Sequence, residues 1–256
     1  TVSYTNGGLI LSNSGAITAN YWLSEVYDEE IANAHRNCDL HLHDLSMLSG
    51  YCACWSLKHL ITEGLGCVPG KITPSPARHL STLCNQMVNF LGIMQNEWAG
   101  AQAFSSFDTY LAPFVKIDNL SYHDVKQCIQ SFIYGVNTPS RWGTQAPFTN
   151  VTLDWVVPND LAELNCIIGG KETDFKYKDC QKEMDMVNKA FIEIMIEGDA
   201  NGRGFQYPIP TYSITKNFDW SETENNKLLF EMTAKYGTPY FSNYINSDME
   251  PSDVRS

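Results

Sequence analysis

Residues 40–57 read LHLHDLSMLSGYCACWSL, and the alternation of apolar and polar residues in this stretch predicts two short strands. The first strand is expected at residues 39–43 and the second at residues 51–55. Ser56 follows the second strand directly and is the type of residue that caps a helix, here one that runs to Ile61. Short extended segments that pass directly into helices predict an α/β fold.

The same stretch carries four side chains of the types that bind metals. Residues two apart on a strand point to one face, so His41 and His43 share a face, and Cys52 and Cys54 do the same on their strand. If the strands are neighbours, a His₂Cys₂ zinc site is allowed by ligand identity alone, although the spacing is not that of common zinc modules. The alternative is that the histidines bond to backbone carbonyl groups and that Asp44 caps a turn.

The rest of the chain alternates between helical and extended patterns. Pro76 fits the first turn of a long helix, Ser121 begins a capping signal, and Gly198 ends a Met- and Ile-rich helix. Two prolines in residues 206–212 predict that this strand is an edge strand or an irregular one. The predicted helices are residues 18–34, 77–98, 121–136, 177–197 and 222–235, and the further extended segments are residues 146–157 and 238–245.

Composition narrows the class of protein. The chain has 256 residues, of which 43% are hydrophobic, enough for one large domain or two small ones. Its net charge of −12 argues against broad nucleic-acid binding, which needs a basic surface. No run approaches the roughly 18 apolar residues of a membrane span, and no secretory signal is visible. The eight cysteines include no CxxC pair, which argues against a zinc ribbon and a thioredoxin motif. Nothing else in the sequence indicates an oxidising compartment, so we expect a cytoplasmic protein with reduced thiols. We expect neither a membrane nor a nucleic-acid partner.

Two further stretches carry groups suited to an anionic, hydroxylated ligand. GTQAPFTNVTLDW, residues 143–155, places Gln145, Thr149 and Asn150 beside a small-residue loop, and all three can hydrogen-bond a sugar or a phosphate. GDANGRGFQYPIPTY, residues 198–212, has glycines around Arg203, which could clamp an anion. The alternative for both stretches is a turn followed by a buried strand.

Taken together and in order, these motifs resemble a known enzyme family. HLHD, GYC, NEWAGAQAFSSFDTYLAPF, NTPSRWGTQAPFTNVT, GRGFQYPIPTY and YFSNYINSDMEPSDVRS are similar to stretches of the anaerobic (class III) ribonucleoside-triphosphate reductases, which are glycyl-radical enzymes. The resemblance implies a ten-stranded α/β barrel, of which residues 1–256 would be the first half. The ATP-cone, the finger loop with the thiyl cysteine, and the glycyl-radical domain with its zinc-binding cysteines would lie outside this chain, which would itself hold no metal.

The resemblance also implies roles for individual residues. Cys52 matches the cysteine that gives a proton to the leaving 2′-hydroxyl group, and His41 and His43 match a pair that orients groups near the active site. Asn150 and the polar groups around it would line the nucleotide cavity. Cys54 stands where the family commonly has glycine, and we expect it to be an inert passenger that faces away from that cavity.

Cofactors and partners follow from the same resemblance. A radical S-adenosylmethionine activase would generate the glycyl radical, formate would supply the electrons, and dNTP or ATP effectors would bind a homodimer near the helices of residues 77–98 and 121–136. We expect the chain alone to be unable to reduce nucleotides. The alternatives are another glycyl-radical enzyme, such as a formate lyase, and a non-catalytic nucleotide-binding fragment.

Overall fold

The computed structural model describes residues 5–66, 70, 72–139 and 145–255, and it shows a helix-rich mixed α/β fold. A five-stranded parallel sheet has the order β1-β2-β3-β6-β7, and β4 and β5 form a separate antiparallel pair. The strands are β1 Ala53–Trp55, β2 Gln102–Phe104, β3 Thr149–Leu153, β4 Asn165–Ile168, β5 Lys171–Lys176, β6 Ile209–Ile214 and β7 Tyr240–Asn243. The helices are α1 Asn6–Tyr21, α2 Glu29–Arg36, α3 Leu57–Glu63, α4 Leu80–Met94, α5 Phe107–Ile117, α6 Tyr122–Asn137, α7 Asn159–Ala162, α8 Gln181–Glu197 and α9 Glu224–Tyr236.

The sheet grows in one direction along the chain, and this order places the helices. Parallel strands are joined by crossovers that are nearly always right-handed, so strands added in sequence put their crossover helices on the same face. Large side chains on that face are fully buried, including Phe104, Val151 and Tyr212. α4 and α8 contact it, through Phe90 against Phe104 and through Asn188 against Tyr212. The opposite face is left without these helices.

Local capping signals located several helices correctly. The Ser56 side chain accepts a hydrogen bond from His59 N–H at the start of α3, as predicted. Ser121 and Asp124 form the predicted capping box of α6. α8 ends at Gly198, whose φ of 76° lies in the left-handed region that favours glycine. These ends are confirmed because each depends on contacts within four residues along the chain.

The predicted helix at residues 18–34 is instead divided between two helices. A π-helical turn at Trp22–Val26 ends the first helix, and Tyr27 is extended. The second helix begins at Glu29 after Asp28, with acidic residues in its first turn. Negative side chains are favourable at the positive end of a helix dipole, which explains a new start at this point.

The predicted strand at residues 39–43 is wrong. The backbone N–H groups of Asp39 and Leu40 donate to the carbonyl group of Ala34 at the end of α2. Leu42 N–H donates to Nδ1 of His35 at 3.0 Å. With its donors bonded to the preceding helix, this segment is irregular and joins no strand.

Of the two alternatives predicted for residues 206–212, an edge strand or an irregular one, the edge strand is wrong. β6 lies between β3 and β7 and pairs with both. Pro208 precedes the strand, and Pro210 precedes Thr211, the first residue paired with β7. Because the prolines stand at the strand's beginning, the remainder can pair on both sides.

The sequence patterns missed α5 and the antiparallel pair β4 and β5. α5 is buried along nearly its whole length and so lacks the polar stripe of a surface helix. Among the described residues, no helix combines the length and the apolar character needed to cross a bilayer.

Candidate functional site

The face of the sheet opposite α4 and α8 presents one row of side chains in register. Ala103 on β2 pairs with Cys54 on β1 and with Asn150 on β3, and Asn150 pairs with Ile209 on β6. Cys54 is exposed and the other three side chains are half-buried. Neighbouring strands are roughly 4.8 Å apart, so Cys54 and Asn150 lie roughly 10 Å from each other. We call these four residues the open-face row.

Cys52 lies just before β1 and is exposed. Its thiol sits over Gly100, where an added Cβ would come within 2.7 Å of Cys52 Sγ and 2.7 Å of the Tyr51 carbonyl oxygen. That carbonyl group accepts a hydrogen bond from Gly100 N–H. The missing side chain at position 100 therefore lets the two backbones approach closely and holds the Cys52 thiol against the start of the β1–β2 pair.

Cys54 lies on the open face, whereas the sequence analysis predicted that it would face away from the nucleotide cavity. Its neighbour Trp55 points to the opposite face, where its ring packs edge-on against Phe90 and Trp98. Alternation along the strand therefore puts Cys54 on the open face, where its Sγ lies 3.4 Å from Oγ of Ser105. The prediction of a passenger turned toward the other side is wrong, because β1 directs Cys54 to the same face as Asn150.

His41 and His43 come together without a strand. Their rings are 6.4 Å apart at their centroids and nearly parallel, with 18° between the planes. The His43 ring meets Tyr51 edge-on at 5.2 Å, and its Nδ1 lies 2.8 Å from Oδ2 of Asp44. Both side chains of this histidine–aspartate pair are substantially exposed. The histidines thus reach the neighbourhood of Cys52 through Tyr51.

The structure separates the four predicted substrate-binding residues. Thr149 is fully buried on the helix-covered face, and its hydroxyl group donates to the carbonyl group of Pro147 at 3.0 Å. The prediction that Thr149 contacts a ligand is therefore wrong, because strand alternation turns it away from Asn150. Gln145 is exposed just before β3, and Arg203 is exposed in the loop between α8 and β6.

A buried pair of carboxyl groups lies where β3 ends. Asp108 in the first turn of α5 accepts hydrogen bonds from the backbone N–H groups of Asp154 and Trp155, at 2.8 and 2.9 Å, and from the Asn188 amide at 2.9 Å. Asp154 accepts a hydrogen bond from the Thr109 hydroxyl group at 2.6 Å. Burial, and then the nearby Asp108 charge, raise the pKa of Asp154 to about 7. Burial also raises the pKa of Asp108.

A cavity of about 280 Å³ opens at the carboxyl ends of β3, β6 and β7. This is the edge of a parallel sheet at which α/β proteins bind ligands. Its lining mixes carboxyl, hydroxyl and amino groups, including Asp154, Ser213, Thr215, Lys216 and Glu250. Across the described parts of the chain, no three His, Cys, Asp or Glu side chains are grouped in a way that could hold a metal ion.

Sequence reasoning missed Ser105, Asp108, Asp154 and Arg255. Asp108 and Asp154 each interrupt an apolar run, in SSFDTYLAPF and in VTLDW. A charged residue inside such a run signals a buried group that needs partners, so the pair could have been suspected. The contacts of Ser105 with Val254 and of Arg255 with Ser106 each join residues 149 positions apart, which is more than half of the chain. No local sequence pattern can indicate such contacts.

Comparisons with known proteins place this geometry in context. A sequence model described as "Anaerobic ribonucleoside-triphosphate reductase" matches residues 1–256. No curated protein sequence gives a significant match. A solved anaerobic ribonucleotide reductase from Thermotoga maritima, with citrate in its active site, is 22% identical with a TM-score of 0.72, over 96% of this chain and 48% of that chain.

Two further solved structures have a similar fold. Another anaerobic ribonucleotide reductase is 22% identical with a TM-score of 0.73, over 95% of this chain and 41% of that one. The Thermotoga maritima enzyme in complex with dATP and CTP is 20% identical with a TM-score of 0.72, over 95% and 43% of the two chains. At these identities the likeness concerns the fold, and the chain spans less than half the length of each of these proteins.

Proposed function

Because this chain belongs to the anaerobic ribonucleoside-triphosphate reductase family, we propose that it takes part in reducing ribonucleoside triphosphates to deoxyribonucleoside triphosphates for DNA synthesis. The observation that carries this proposal is the open face of the parallel sheet, where Cys54 and Asn150 lie in one row and the exposed thiol of Cys52 lies just before β1. The reaction needs a thiol and a polar nucleotide cavity on the same surface.

The chain would form the first half of a ten-stranded barrel, with residues 1–256 as one unit. An all-parallel sheet is normally covered on both faces, whereas this one is covered by helices on one face. Its five strands follow the chain order, and both outer strands, β1 and β7, have one edge without a partner in the five-stranded sheet. A second set of strands would pair with these edges and enclose the open face.

Within that enclosure, Cys52 would act as the proton donor to the leaving 2′-hydroxyl group. A thiol suits this task because it releases a proton far more readily than an alcohol does. His41 and His43 would orient groups near Cys52, a role supported by the contact of the His43 ring with Tyr51. Asn150 would hydrogen-bond the nucleotide, with Gln145 and Arg203 as further polar contacts at the loops that precede β3 and β6.

The remaining components would come from outside this chain. The glycyl radical, which supplies hydrogen abstraction when present, would be generated by a radical S-adenosylmethionine activase on another segment, where structural zinc also belongs. Formate would be the reductant. Nucleotide effectors would bind to a homodimer near α4 and α6, an assignment prompted by the dATP and CTP named for the related structure. The site is expected to work in the cytoplasm.

Nucleotide protection of individual thiols tests this function on the chain itself. We expect CTP to slow iodoacetamide labelling of Cys52 and Cys54 and to leave labelling of the exposed Cys38 unchanged, as measured by mass spectrometry of each cysteine. Asn150→Ala should abolish the protection. The matched control is Asn165→Ala, which removes an exposed amide on β4.

Two outcomes would count against the proposal. One is equal labelling of Cys52 with and without CTP at saturating concentration. The other is protection that survives Asn150→Ala but is lost in Asn165→Ala. Formation of deoxynucleotides by the isolated chain with activase and formate would contradict the narrower proposal that this chain is inactive alone.

A further inference from the structure

The segment of residues 250–255 crosses the carboxyl end of the sheet and is attached there. It forms a short 3₁₀ turn, Pro251–Val254, with Glu250 and Asp253 in a capping box. The Ser105 hydroxyl group donates to the Val254 carbonyl group at 3.4 Å. Arg255 Nε donates to Ser106 Oγ at 2.7 Å. We call residues 250–255 the docked segment.

Arg255 is the main attachment. Its side chain is only 7% exposed, and its Nη1 donates to Oδ2 of Asp160 at the start of α7. Burying an unpaired guanidinium group is costly, so the contacts with Asp160 and Ser106 are needed to keep the Arg255 side chain in this buried position. Burial and then the Asp108 charge raise the pKa of Asp154, and the charge of Arg255 opposes them.

The docked segment also determines the direction of a hydrogen bond at Cys54. A serine hydroxyl group has one proton to donate. Ser105 gives that proton to the Val254 carbonyl group, which can only accept. At 3.4 Å from Cys54 Sγ, the Ser105 oxygen must therefore accept from the thiol, and the S–H group donates. The proton of Cys54 is held while Val254 stays in place.

We propose that Arg255 is a positioning residue that, by docking residues 250–255, fixes the hydrogen bond between Cys54 and Ser105 and lowers the reactivity of an exposed thiol on the open face. When the segment leaves, the Ser105 hydroxyl group turns and donates to the Cys54 sulfur. Donors to sulfur favour the thiolate, which is the nucleophile in thiol chemistry. This inference does not depend on the proposed function, because it concerns a rate of thiol labelling.

The test measures the iodoacetamide labelling rate of each cysteine in the whole chain at one pH near neutrality. Arg255→Gln should raise the rate at Cys54 about threefold to tenfold, the range that one hydrogen bond between neutral groups corresponds to. Cys52 should be unchanged. Arg255→Lys, which keeps the charge but lacks the planar fork, should give a smaller increase.

Ser105→Ala distinguishes an effect of Arg255 that acts through the Ser105 hydroxyl group from a general loss of structure around Cys54. In that background the rate at Cys54 should no longer respond to Arg255→Gln, because the shared hydroxyl group is absent. The proposal is overturned if Arg255→Gln leaves the Cys54 rate unchanged, or if the increase persists with Ser105→Ala. Among the described residues, the buried cysteines Cys84, Cys166 and Cys180 report unfolding.

If the buried cysteines become reactive in Arg255→Gln, the same comparison is made with Asp160→Asn. Asp160 is 43% exposed, so its substitution weakens the attachment without emptying a buried position. Hydrogen exchange of the amides of residues 250–255 should rise in this variant together with the Cys54 labelling rate. A rise in exchange with an unchanged Cys54 rate would refute the link between the docked segment and the thiol.

Discussion

Replacing Asp154 with asparagine should make the stability of this protein less sensitive to pH. Burial raises the pKa of Asp154 to about 7, from an ordinary value of 3.8. The folded chain therefore binds this proton more tightly than the unfolded chain does. Between pH about 4 and pH about 7 the folded state carries more protons, so its stability falls as pH rises through this window and then levels off.

The size of the effect follows from the same two values. They differ by about 3, and each unit of pKa corresponds to about 1.36 kcal/mol, so ionising Asp154 in the folded state costs at most about 4 kcal/mol. Asparagine cannot ionise, and its carbonyl oxygen can still accept the hydrogen bond from Thr109. The variant should match the wild type near pH 4 and exceed it at pH 8 by about 2 to 4 kcal/mol.

Urea unfolding followed by tryptophan fluorescence at both pH values measures this difference. Asp124→Asn is the matched control. The hydrogen bond from Ser121 lowers the pKa of Asp124, so the dependence of stability on pH has the opposite sign to that of Asp154. Asp124 stabilises the fold above pH about 4 and loses that contribution as pH falls. The Asp124→Asn variant should therefore be less stable than the wild type at pH 8. A difference in unfolding free energy between Asp154→Asn and the wild type that is the same at both pH values would refute the reasoning.

Three further substitutions test separate contacts, each by urea unfolding. Gly100→Ala should destabilise the chain by about 1 to 3 kcal/mol because its Cβ would press on Cys52 Sγ and on backbone, whereas Gly66→Ala, with open space around it, should not. Asp108→Ala should cost at least about 3 kcal/mol, since four buried donors lose their acceptor. Ser121→Ala removes a helix cap and should cost about 1 kcal/mol, and no change would mean that the capping box contributes nothing.

The sequence located features that depend on near neighbours. The caps at Ser56 and Ser121 and the stop at Gly198 each involve residues within four positions, so a local pattern suffices. The strand predicted at residues 39–43 failed for a related reason. Its alternating residues looked extended, but His35 and the end of α2 take its backbone donors.

The sequence selected part of the candidate site, and the roles of those residues remain predictions. The sequence and the resemblance of its motifs selected Cys52, the two histidines and Asn150, and the family match supports that resemblance. The strand register could not be predicted, and it is the register that sends Thr149 to the core and Cys54 to the open face. A shift of one residue would reverse both side chains, and pairing between distant strands sets that register.

By itself, the sequence determined the mixed α/β class, the helix caps at Ser56 and Ser121, the helix stop at Gly198 and the family, because these depend on residue types and on short spacings. Only the tertiary structure decided which residues meet. It joined Arg255 to Ser106 and Asp160, Val254 to Ser105, and Ser105 to Cys54. Such contacts form where the ends of parallel strands converge, and each links segments that lie about 50 to 150 positions apart in the chain, a distance over which sequence periodicity carries no information.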